Sequence, residues 1–111
     1  MLYFVRAELR ELPPMPREQW AGMVAATWEM LAQLERTGKA RGVGAMIGRQ
    51  AGVAILDMDS HDELAEVMQR LPVYAFLNWE VVPLTSAERA LESARWATAA
   101  LARRQEAGSR N

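Results

Sequence analysis

From Gly48 to Leu84 the chain reads GRQAGVAILDMDSHDELAEVMQRLPVYAFLNWEVVPL, and the order of signals in this stretch decides the fold. An apolar run ending at Asp57 has the composition of a strand. Ser60 and Glu63 then form an S-x-x-E capping box, which starts a short helix over 61–70. Leu71-Pro72 ends that helix, because proline lacks the N–H its last turn needs and restricts the residue before it. A final strand is expected from 73 to 82.

Outward from this unit, residues 2–9 alternate Leu2, Phe4, Arg6, Glu8 against Tyr3, Val5, Ala7, Leu9, the period of a strand with unlike faces. Pro13, Pro14 and Pro16 make the next segment a stiff loop. From Arg17 to Thr37 the period becomes helical, with Trp20, Val24, Thr27, Leu31 and Leu34 on one stripe, Met23 and Met30 widening one side and Trp28 the other. Gly38 suits the left-handed position that closes such a helix. Residues 42–58 read as a hairpin turning near Gln50-Ala51-Gly52, with Val43, Ala45, Ile47 alternating against Gly42, Gly44, Met46.

The element order is therefore β-α-β-β-α-β, an α+β ferredoxin-like arrangement with an antiparallel sheet and both helices on one face. The other sheet face carries one set from the last strand, either Val73, Ala75, Leu77, Trp79 or Tyr74, Phe76, Asn78. Both sets are too apolar for water, so a second sheet is expected against them, and a second copy of the chain is the simplest supplier. Past Leu84, Thr85 and Glu88 form another capping box before an alanine-rich helix to about Arg104, with a frayed tail from Gln105. Leu91, Ala94 and Leu101 mark one stripe of this helix and Trp96 lies off it, so it is expected to touch both its own domain and a neighbouring subunit. The chain thus divides into a domain over 1–84 and a helical extension over 85–111.

Composition narrows the partners. Of 111 residues, half are apolar and 24% charged, with a net charge of -1, so no basic surface favours nucleic acid. No cysteine is present and there is one histidine, which removes thiolate chemistry and cysteine-based zinc sites. Arg6, Glu8, Arg10 and Glu11 stand where a secretory signal needs an apolar run, and no stretch reaches the roughly 20 apolar residues of a membrane span. A cytoplasmic protein that neither enters nor binds a membrane is expected.

With the opening Met1-Leu2-Tyr3-Phe4-Val5-Arg6 and the helix end Arg36-Thr37-Gly38, the chain resembles the muconolactone isomerase family from Met1 to about Leu84. The resemblance implies a dimeric α/β barrel. It also implies a proton-transferring glutamate at the position of Thr27, with a tyrosine and an asparagine in the hairpin near Gln50 and Gly52. All three are different residues here. A threonine hydroxyl cannot shuttle a proton near neutral pH as a tuned carboxylate does.

Each candidate site has a structural reading beside the chemical one. The acidic run Asp57-x-Asp59-x-His61-Asp62-Glu63 fits carboxylates on the positive end of a helix better than a metal site, since the glycine and glutamate of a calcium loop are missing. No metal and no cofactor are expected. His61 fits an exposed first-turn residue. Thr27 is either a core threonine bonded back to its own helix or a polar group lining a pocket between helix and sheet. The small residues Ala40, Gly42, Gly44, Ala45, Gly52 and Ala54 mark either close packing beneath Met46, Trp20 or Trp28, or room for a ligand. In the second case Trp20, Met23, Thr27, Met46 and Phe76 line a pocket for a flat, apolar, up to polycyclic molecule. Thr27, Gln50, Arg41 and Arg49 are the candidate catalytic donors to its polar groups, although arginines in such positions are commonly solvated. The expected function is a cofactor-independent isomerase or cyclase of a small hydrophobic metabolite, acting as a homodimer or larger homo-oligomer. The alternatives are a non-catalytic binding or accessory protein on the same fold, and a muconolactone isomerase using other groups.

Overall fold

The computed structural model describes residues 1–109. The elements follow as β1 (Leu2–Leu9), α1 (Arg17–Arg36), β2 (Ala40–Ala45), β3 (Ala51–Asp57), α2 (His61–Arg70), β4 (Leu77–Leu84) and α3 (Ala87–Ser109). The four strands form one antiparallel sheet in the order β2-β3-β1-β4, with α1 and α2 on one face, the ferredoxin-like α+β fold.

Strand alternation sorts the residues. Tyr3, Val5, Ala54 and Leu56 point to the helices, where they form the buried core with Ala40, Met58 and Leu64 of α2, and Leu34 of α1 packs against it. Helix α1 starts without a side-chain cap at Pro16 and closes at Gly38, whose φ of 82° is the left-handed geometry expected there. Helix α2 begins as its capping box requires, with the Glu63 amide donating to Ser60 Oγ at 3.1 Å. The Glu63 carboxylate reaches the Asp59 amide rather than that of Ser60, one residue earlier than in the usual reciprocal box.

Three boundaries differ from the sequence reading. The hairpin turns over 46–50, not at Gln50-Ala51-Gly52: the Met46 amide donates to the Ala51 carbonyl, and Gly48 takes φ 83°. Ile47 therefore leaves the strand alternation and stands fully exposed. Strand β4 begins at Leu77 rather than 73, because Pro72 is followed by a single tight helical turn over Tyr74–Phe76. The amides of Tyr74 and Phe76 bond to the carbonyls of Leu71 and Val73, so they are not available to a ladder. Helix α3 is capped by Ser86, whose hydroxyl accepts the Arg89 amide at 3.1 Å, rather than by Thr85, and it runs to Ser109, past the fraying expected from Gln105. The last two positions of that expected tail lie outside the described residues.

The late start of β4 also changes the sheet face turned away from the helices. Of the two expected sets only Asn78 lies there; β4 contributes it with Glu80, Val82 and Leu84, while Leu77 and Trp79 face the helices. Across the ladders these join Leu2, Phe4, Arg6 and Glu8 of β1 and Val53 and Ile55 of β3. The face is apolar at the end holding Leu2, Phe4, Ile55, Val82 and Leu84 and polar at the end holding Arg6, Glu8, Asn78 and Glu80. Helix α3 does not pack back on this domain. Leu91, Trp96 and Leu101 are exposed, and the molecule measures 75 × 28 × 24 Å with α3 as a projecting arm.

Candidate functional site

Between α1 and the sheet lies a cavity of about 170 Å³. Helix α1 supplies Trp20, Val24, Thr27, Trp28 and Leu31, one side of its stripe at intervals of three and four residues. The sheet supplies Val5, Ala7, Leu9, Gly52 and Ala54 as the floor, with Leu77 and Trp79 of β4 beside them, and Val67 and Met68 of α2 close the inner end. Of the small residues, Ala45, Gly52 and Ala54 line the space, and over Gly52 the close-packing alternative holds, because the Trp28 ring sits directly on it. Arg49 and Gln50, both exposed, form the rim. Among the described lining residues there is no aspartate, glutamate or histidine, and Arg49 is the single charged group.

The donors in this wall are largely engaged. Thr27 is buried, and its hydroxyl donates to the Met23 carbonyl at 2.9 Å, the bond back to its own helix. Trp79 Nε1 donates to the Tyr74 carbonyl at 3.0 Å, and its ring lies against Tyr74 with centroids 5.6 Å apart. Arg49 grips both carboxylate oxygens of Glu8, at 2.7 and 2.9 Å, while Arg6 reaches the same carboxylate at 3.2 Å. The hydrogen bond from Arg49 holds the Glu8 carboxyl below the usual range, and Arg6 adds to it. Gln50 bonds to the Leu9 amide through its backbone carbonyl, which leaves its side-chain amide available at the rim.

Of the residues picked out from the sequence, Thr27, Gln50, Arg49 and Trp20 meet at this cavity and four do not. Arg41 sits at the other end of the β2–β3 hairpin, where it donates to Asp57 at 2.9 Å. Met23 contributes only its carbonyl, through Thr27. Met46 belongs to the turn that ends β2 and is off the wall. Phe76 stands behind Trp20, edge-on at 5.7 Å and 82°, and braces the indole instead of lining the space. Trp28 and Trp79 were the wall residues that the reading missed as such. For Trp28 the signal was present, since Trp20, Val24 and Trp28 lie four residues apart along one face of α1.

Asp57, Asp59 and Glu63 of the acidic run are held by cations. Asp57 pairs with Arg41 and the N-terminal ammonium, and Arg41 first and the ammonium second keep its carboxyl below the usual range. Lys39 bridges Glu63 at 2.9 Å and Asp59 at 3.2 Å, which raises its own pKa, Glu63 contributing most. His61 is exposed, as expected of a first-turn residue, yet its Nδ1 shares a hydrogen bond with the hydroxyl of buried Tyr3, away from the cavity.

A single antiparallel sheet with two helices on one face and an apolar cavity under the first defines a small α+β protein of the ferredoxin-like class. The sequence profile described as muconolactone delta-isomerase matches residues 1–89. Muconolactone Delta-isomerases from Rhodococcus opacus and Cupriavidus pinatubonensis are 31% and 32% identical to this chain over 87 and 84 residues, covering 76% of it and 90% and 91% of their own lengths. The chain belongs to the muconolactone delta-isomerase family. Two solved structures share the fold. One is a muconolactone isomerase with TM-score 0.70 and 23% identity, covering 78% of this chain and 90% of that one. The other is 5-chloro-2-hydroxyhydroquinone dehydrochlorinase from Burkholderia phenoliruptrix, solved with 2,5-dihydroxybenzoquinone, with TM-score 0.62 and 17% identity over 80% and 98% of the two chains. The family match ends just inside α3.

Proposed function

We propose that the protein is a cofactor-independent isomerase or cyclase that takes a small hydrophobic metabolite, up to polycyclic in size, into the cavity between α1 and the sheet. The observation that carries this reading is the cavity wall, which is predominantly apolar; apart from the indole N–H groups, its polar side chains among the described residues are Thr27 and the Arg49–Gln50 rim. A wall without carboxylate or imidazole offers no proton shuttle, so the rate enhancement comes from fixing one conformer of the substrate and polarising its carbonyl or hydroxyl from the rim. Arg41, on the opposite end of the hairpin, has no part in it.

The engaged hydroxyl of Thr27 favours one second reading, a protein that binds the same kind of molecule without changing it. Family membership supports a third, isomerisation of muconolactone itself, against which stands the absence of any carboxylate from the wall. Two measurements separate the three. Turnover of muconolactone on the order of 10 per second, a usual enzyme rate, would establish the third; we expect none above background. A thermal-shift screen of flat phenols and hydrophobic acids, followed by product analysis of each stabilising compound, distinguishes the first two. A ligand at 100 times its Kd raises stability by about 2.7 kcal/mol.

The same reading makes residues 1–84 the ligand-binding domain and 85–111 a helical extension and tail, in a cytoplasmic homodimer or larger homo-oligomer. The apolar end of the outer sheet face supports the self-association, since a second copy would cover Phe4, Ile55, Val82 and Leu84.

A further inference from the structure

Three indoles line the cavity, and they are not equivalent. Trp79 is tied by its hydrogen bond to the Tyr74 carbonyl and by the Tyr74 ring. Trp20 is braced edge-on by Phe76. Trp28 has neither a ring partner nor a hydrogen bond among the described residues, and it rests on backbone: a Cβ built at Gly52 would come within 2.8 Å of Trp28 Cη2 and 3.3 Å of Cζ2. No real Cβ tolerates 2.8 Å, so the indole tip occupies the place of the side chain that position 52 lacks. The Gly44 carbonyl lies 3.4 Å from the same point, an ordinary contact. An added methyl would have to drive the indole away from the sheet.

We infer that Trp28, seated on Gly52, is the specificity-determining residue of the cavity, the surface on which a planar, unsaturated ring of the ligand stacks. This rests on the proposal that the cavity is a ligand site, and deepens it by naming the ligand class. With the Thr27 hydroxyl, the Trp79 N–H and the Arg49 guanidinium already engaged, and the available Gln50 amide out at the rim, the inner wall recognises little by hydrogen bonding. What it offers is flat aromatic surface, and of the three rings Trp28 is the one with no ring partner or hydrogen bond. Stacked rings gain more than the burial of their area alone, a gain that a saturated ring of equal size cannot collect.

The test uses two probes of matched skeleton, planar 2-naphthol and saturated decahydro-2-naphthol, titrated into the full-length protein by calorimetry. The wild type is expected to prefer 2-naphthol by roughly three- to tenfold. Trp28→Leu should abolish that preference while still binding the saturated probe. Trp28→Phe, which keeps a ring, should retain part of it and guards against a leucine variant that fails to fold. Gly52→Ala, by pushing the indole into the cavity, should weaken both probes. A preference that survives in Trp28→Leu, or a wild type that binds the two alike, overturns the assignment of Trp28 and leaves the ligand site standing. Binding of neither probe overturns both.

Discussion

At the scale of single residues, Thr27 shows how far chemistry is settled by what a group already touches. It lies where the sequence pattern put it, buried on the inward stripe of α1, and its proton is committed to the Met23 carbonyl. Thr27→Val keeps the shape, and the carbonyl keeps its helical amide partner. The variant should therefore melt within about 1 kcal/mol of the parent, the net value of one neutral hydrogen bond. Affinity for a ligand found in the screen falls by a similar amount only if the hydroxyl oxygen also accepts from that ligand. Glu8 permits a prediction with a definite sign. Its carboxyl is held low mainly by Arg49, and a group depressed in the folded state contributes stability above its unfolded pKa that is lost as the pH falls through the lowered value. Glu8→Gln should be slightly less stable than the parent at neutral pH, and the gap should close in strong acid, as thermal melts across the acid range would show. The pair is exposed, so the effect is small. The direction in which Thr27 points was legible because helical period determines it. The partner of Arg49 was not, because strand ends and turns bring residues 41 positions apart together without a local trace.

Two helices with the same kind of cap separate local from tertiary stability at the next scale. Ser60 and Ser86 each accept a backbone amide at 3.1 Å. Helix α2 buries Leu64 in the core, whereas α3 stands exposed. Ser60→Ala should lower global stability by about 1 kcal/mol, seen in denaturant melts, while Ser86→Ala should leave the domain's transition in place and only reduce helical circular dichroism. The capping box of α2 was readable in the sequence because its residues are neighbours. The turn over Tyr74–Phe76 was not, since the alternating apolar run through it satisfies a strand pattern equally well. Pro72 decided the matter by ending α2 in an extended conformation from which a tight turn, rather than a ladder, follows. The consequence reached the site: with β4 starting at Leu77, Trp79 turns inward and Phe76 drops behind Trp20.

For the molecule as a whole, the outer sheet face is the surface that the proposed dimer would bury. Phe4 pairs across the ladders with Ile55 and Val82 at the apolar end of that face and takes no part in the buried core. Phe4→Asp should leave a folded monomer, because the charge meets water in the single chain and an apolar partner only in the proposed dimer. Multi-angle light scattering would register the change in mass, and an unaltered dimer would show that the copies meet elsewhere. Strand alternation put Leu2, Phe4, Arg6 and Glu8 of β1 on one face, but it led to an expectation of an apolar contribution from the last strand, because which residues of β4 belong to that face depends on where the strand begins.

The arm formed by α3 has a hydrodynamic consequence. The radius of gyration is 20.4 Å, against about 13 Å for a compact chain of this length. A particle of that shape feels more drag than a sphere of equal mass, so a column calibrated with globular standards will overstate its size. Sedimentation velocity converts this into a readout of where the arm lies. Arms that project raise the frictional ratio of the assembly, and arms folded along a neighbouring subunit bring it back toward that of a smooth globule.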